Sequence, residues 1–89
     1  MNVEVLFFGK FRELTSTRQE VIAVSEGAQL AALIEQLTEK YGNAFHYQVT
    51  HTEWRHILIN GRECRLLNGM ETHLKEGDMV TFLSPIFGG

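Results

Sequence analysis

The chain has 89 residues, 44% of them hydrophobic and 21% charged, with a net charge of −3 at neutral pH. That balance belongs to one small globular domain with a single thin core, too short to wrap the deep pocket of a large enzyme. A pI of about 5.7 argues against a nucleic-acid partner, which needs concentrated Lys and Arg, and no apolar run approaches the roughly 20 residues that span a bilayer. The opening residues carry Glu4 inside the first apolar stretch and no basic leader, which argues against a secretory signal. A lone cysteine, Cys64, leaves no internal disulfide framework and no multi-cysteine zinc site, so a reduced, cytoplasmic protein is expected.

Asn2 to Phe8 alternates Val3, Val5 and Phe7 with Leu6 and Phe8, the period of a strand. Its second face is also partly apolar, as in a central strand or one touched by a partner. Gln19 to Val24 reads as a second strand, joined to the first through a wide loop from Gly9 to Arg18. Leu30, Leu33, Ile34, Leu37 and Tyr41 fall on one stripe of a helix over Gln29 to Tyr41, with Gly42 as its stop. Its start is poorly marked, because Gln29 is a weak cap and Ser25 lies too early. Asn43 to Arg55 is polar and aromatic together and fits neither period, so an ordered loop or short irregular element is expected there.

His56 to Asn60 is a short apolar strand closed by Asn60-Gly61, a strong hairpin signal, with Glu63 to Leu66 as the return strand. A helical turn over Met70 to Leu74, a turn at Gly77-Asp78 and a last strand over Met79 to Leu83 complete the chain up to Pro85. The expected fold is α+β: a mixed sheet of four to five strands packed on one main helix, in the order β-β-α-β-β-β. The last strand would lie beside the first. The whole of residues 1–89 would be one domain, with a flexible tail over about 85–89.

The last two residues are Gly88-Gly89, a pairing expected by chance in roughly one such chain in a hundred. One reading is a frayed end. The other is a reactive carboxylate on a tail without side chains, able to thread a narrow channel into another enzyme. Leu6, Phe8, Phe82, Leu83, Ile86 and Phe87 exceed the needs of one thin core, and form either a second small core or an exposed apolar patch beside that tail. Cys64 reads as a small buried hydrophobe, with Arg62 and Arg65 beside it as the only sequence feature favouring a reactive thiol. His46, His51 and His56 are spaced by five, which no metal motif uses by itself, so no metal is expected and they read with His73 as loop or surface residues. Arg55, Arg62 and Arg65 read as a solvated face, or else as a docking patch for an acidic partner.

The opening VEVLFFGKFREL and the block ILINGRECRLLNGMETHLKEGDMVTFLSPIFGG resemble the ubiquitin-like sulfur carriers, particularly the molybdopterin synthase small subunits. The likeness covers the chain apart from 43–55, which resembles an insertion. It implies the β-grasp fold and a carrier rather than an enzyme acting alone. In such a carrier, Gly89 is adenylated by a ubiquitin-activating-type enzyme that uses ATP and then thiocarboxylated, while Gly88 gives clearance in the partner's channel. The sulfur comes from a donor such as a cysteine desulfurase or a rhodanese, and the synthase large subunit receives the tail and builds the molybdopterin dithiolene. Phe8, Phe82, Leu83, Pro85, Ile86 and Phe87 fall where such carriers meet their partners, and no bound cofactor is implied. The same tail suits a carrier for thiamine or another thiolated product, or a ubiquitin-like modifier conjugated through Gly89. Two departures stand out. The family often has Pro-Pro where this chain has Ser84-Pro85, and a small residue where it has Phe87.

Overall fold

A computed structural model describes residues 1–51 and 56–84. Among them, strand β1 (Asn2–Phe7) is followed by helix α1 (Lys10–Thr15), β2 (Gln19–Ala23), α2 (Leu30–Tyr41), α3 (Asn43–His51), β3 (Ile57–Ile59), β4 (Arg62–Glu63) and β5 (Met79–Phe82). The strands form one sheet in the order β2-β1-β5-β3-β4. β1 runs parallel to β5, pairing Val5 with Val80 and Phe7 with Phe82. It runs antiparallel to β2, and β3 is antiparallel to both β4 and β5. The last strand does lie beside the first, and the β-β-α-β-β-β order holds for the sheet and its main helix α2. None of the described helices is long and apolar enough to cross a membrane.

Period-two alternation sends Val3, Val5, Phe7, Val80, Phe82, Ile57 and Ile59 to the face beneath the helices, where all are buried. Helix α2 lays Leu30, Leu33, Ile34 and Leu37 on them and stops where the Gly42 N–H donates to the Thr38 carbonyl. Its N-terminus has no side-chain cap. Instead the Leu30 N–H donates to the Thr72 carbonyl at 2.9 Å, and the Leu74 N–H donates back to Ala28 at 2.8 Å. A distant segment satisfies the orphan donor, so a weak cap residue is tolerated at Gln29.

Both expected loops contain helices. Between β1 and β2, α1 leaves Gly9 and ends at Ser16 in the left-handed region, burying Phe11 and Thr15. After Gly42, α3 buries Phe45 and Val49, four residues apart on one face. These short segments carry too few apolar residues to show a helical period, and their contacts with the core stabilise them. Residues 52–55, with Trp54 and Arg55, lie outside the described residues. The hairpin at Asn60-Gly61 forms with φ of +52° and +85°, as a two-residue turn of this hand requires. Its return strand is shorter than expected. It ends at Glu63, and Cys64–Leu66 is a 3₁₀ turn instead. A second 3₁₀ turn at Gly69–Glu71 replaces the helical turn expected over Met70 to Leu74.

The core ends in an aromatic cluster at the C-terminal end of β1 and β5. Phe7 stacks on Phe82 with centroids 5.9 Å apart. Phe11 and Phe45 each approach Phe82 to 5.4 Å, and Tyr41 meets Phe7 edge-on at 6.0 Å. This cluster fastens α1, α2 and α3 to the two central strands beneath the point where the chain leaves the sheet.

Candidate functional site

Among the described residues no helix covers the sheet's other face. Register places Val21 of β2 opposite Glu4, and Leu6 and Leu58 on either side of Thr81. With Met79 and Phe8 they make an apolar strip across four strands. Val21 is 63% exposed, Phe8 40% and Met79 39%, while Leu6, Leu58 and Leu83 are half-buried. Glu4 stands between Val21 and Met79, and Thr81 between Leu6 and Leu58, so apolar and polar side chains alternate across this face. Its polar members pair with each other, Gln19 Nε2 donating to Glu4 Oε1 at 2.9 Å.

At one end of this strip the chain leaves β5. The Phe8 N–H donates to the Phe82 carbonyl at 3.0 Å, and the Leu83 N–H donates to the His56 carbonyl at 2.7 Å. One residue on, Ser84 Oγ accepts from the Lys10 N–H at 2.8 Å. Arg12 borders the same spot. Its Nε donates to the Phe7 carbonyl at 3.3 Å, and its guanidinium lies 5.4 Å from the centre of the Phe8 ring. The root of the C-terminal segment is therefore held by the residues that flank β1 and β3 and by α1, beside the apolar strip.

Residues 5–89 match the ThiS family. The chain belongs to that family of ubiquitin-like sulfur carriers. It is 30% identical over 92 residues to small archaeal modifier protein 3 of Haloferax volcanii, covering all of both chains. To the molybdopterin synthase sulfur carrier subunit of Drosophila melanogaster it is 30% identical over 91 residues, covering all of this chain and 92% of that one. The solution structure of the Haloferax volcanii HVO 2177 protein superposes with a TM-score of 0.82 at 29% identity, over 100% of this chain and 87% of that one. A chain in the complex of subunits 1 and 2 of the molybdopterin-converting factor from Helicobacter pylori matches at a TM-score of 0.64 and 28% identity, over all of both chains. The β-grasp architecture expected of a ThiS-family chain is the one found.

Within this family member, the expected partner-facing residues divide. Phe8 and Leu83 lie on the open face, as an exposed patch requires. Phe82 does not: strand alternation turns it inward, and its ring is fully buried against Phe7, Phe11 and Phe45. It offers no surface in the free chain, and its role here is to hold the cluster beneath the root. Pro85, Ile86, Phe87, Gly88 and Gly89 lie outside the described residues. Sequence reading missed Val21, Leu58 and Met79 as members of the strip. Their alternation with Ile22, Ile57, Ile59 and Val80 was the available signal, and it becomes decisive only once one face is seen to be uncovered.

Cys64 is buried in its 3₁₀ turn, and burial pushes its thiol above the ordinary range, against reactivity at neutral pH. Arg62 and Arg65 are exposed, and Arg65 Nε meets Glu63 Oε1 at 3.3 Å. Among the described residues no group of His, Cys, Asp and Glu is arranged to hold a metal ion.

Proposed function

We propose that this chain is the sulfur-carrying subunit of a molybdopterin synthase. The whole-length likeness to the Drosophila carrier subunit, joined to Gly88-Gly89 at its C-terminal end, carries the reading. A free carboxylate is a poor electrophile. Attack of the Gly89 carboxylate on the α-phosphorus of ATP, in a ubiquitin-activating-type enzyme, releases pyrophosphate and gives an acyl-adenylate. The persulfide of a desulfurase or rhodanese donor then attacks the acyl carbon and displaces AMP, a thiol cleaves the resulting acyl disulfide to leave the thiocarboxylate and a donor–thiol disulfide, and the synthase large subunit draws the tail into its own site. Two glycines carry no side chain to obstruct that passage, and Leu6, Phe8, Leu58, Met79 and Leu83 supply apolar area for docking. Fully extended, 85–89 reaches roughly 17 Å.

The test is intact mass after incubation with the adenylating enzyme, ATP and a sulfur donor. The expected gain is that of one oxygen replaced by sulfur, lost when Gly89 is deleted. No gain with an active cognate enzyme overturns carriage. Likeness to the Haloferax modifier protein over all of both chains favours a second reading, conjugation through Gly89. Isopeptide conjugates on a blot of cell extract, without rescue of a strain lacking the synthase small subunit, select it. Rescue of thiamine synthesis alone moves the sulfur to that acceptor.

A further inference from the structure

Gly9 has φ of +56°, and a Cβ built on it would lie 2.1 Å from Ser84 Oγ. No side chain fits there while Ser84 keeps its place. The next residue spends its N–H on the same oxygen, Lys10 N to Ser84 Oγ at 2.8 Å, across 74 positions of sequence. Beneath it, the Leu83 N–H is fixed on His56. In the sequence the next residue after Ser84 is Pro85, and the helical region is disfavoured for a residue that precedes proline. The backbone bond of Leu83 and the side-chain bond of Ser84 thus constrain the chain where it leaves β5.

We propose that Gly9, the Lys10 N–H and Ser84 Oγ form a clamp that aims the C-terminal tail, making Ser84 a positioning residue for the activation of Gly89. The inference rests on the carrier reading. A root fixed at Ser84 leaves less ordering to do when a partner takes up the residues that follow. Gly9 is required for closeness and Ser84 for the bond, and neither touches the reacting carboxylate.

The test is pyrophosphate exchange by the cognate adenylating enzyme on the full chain, with amide exchange of the free chain beside it. Ser84→Ala is expected to raise KM for the carrier about 2- to 10-fold, the range of one net hydrogen bond, with kcat unchanged. Ser84→Thr, which keeps the hydroxyl, is expected to restore KM. Gly9→Ala is expected to raise KM more in the native background than in Ser84→Ala, where the oxygen it strikes is gone. In the free chain, the Lys10 amide should exchange faster in Ser84→Ala than in the native chain. Equal protection of that amide, an unchanged KM, or a Ser84→Thr variant as impaired as Ser84→Ala overturns the clamp. If the native chain is not adenylated while the Lys10 amide responds as expected, the carrier reading falls and the aiming role with it, and the contact remains as a structural tie.

Discussion

The two faces of the sheet carry similar side chains under different cover. Phe7 and Phe8 are neighbours, as are Phe82 and Leu83. In each pair the first lies in the aromatic cluster beneath the helices and the second on the open face. An apolar side chain in a strand therefore says little about its role until its parity and the cover over that face are known. Under the helices, it holds the molecule together; on the open side it is available to a partner.

The sharpest way to break this contrast is to truncate one ring on each side. Phe82→Ala is expected to cost about 3–5 kcal/mol, the range for a large-to-small change at a buried aromatic, and Phe8→Ala less than about 1 kcal/mol. Urea unfolding measures both, and equal losses would refute the division. Phe45→Ala belongs with Phe82, because its ring touches Phe7, Phe11, Tyr41 and Phe82. It should also lose a similar amount, with helicity falling as α3 detaches.

On the open face the expected loss is in binding. Under the proposed function, Phe8→Asp or Met79→Asp is expected to weaken association with the synthase large subunit by about tenfold or more, as for a residue at the centre of an interface, and to leave the unfolding midpoint nearly unmoved. Titration calorimetry against the purified subunit reads this, and native affinity in both variants would remove the strip from the interface.

A smaller effect concerns two titratable groups against the core, the buried Cys64 and the partly buried Tyr41. Burial holds the protons of Cys64 and Tyr41 to higher pH in the folded chain than in the unfolded one. The unfolded state therefore releases them first, so stability is fully present below their ordinary ranges and falls as pH rises from about 8.5 upward. Urea midpoints at pH 7 and pH 10 measure the slope, and alkylation of Cys64 at pH 8 should run at the rate of unfolding. The smallest expected change is at the helix-to-strand tie, where Lys40 Nζ meets Glu20 Oε2 beside the Tyr41 hydroxyl. Lys40 is half-exposed, so Lys40→Ala should cost only about 0.2–1 kcal/mol in thermal unfolding.

The parts legible in the sequence were those whose signal is local. Strand parity in VEVLF and MVTF, the stripe on α2 and the Asn60-Gly61 turn each lie within a dozen residues, and the element order followed from them. The buried state of Cys64 was legible from residue type alone. The helices α1 and α3 were not, because with two buried residues apiece they have no period of their own and are helical only where Phe11 and Phe45 reach the cluster. The apolar residues near the tail left Phe82 open between a second small core and an exposed patch, because their count does not say which side of a strand each one takes.

By itself, then, the sequence determined the strands, the main helix and their order. Only the tertiary structure decided which face stays open, which of two adjacent rings a partner can touch, and that Gly9 and Ser84 stand together. Periodicity is set by neighbours along the chain, whereas cover and close approach are set by residues 74 positions away, brought together when β5 pairs with β1.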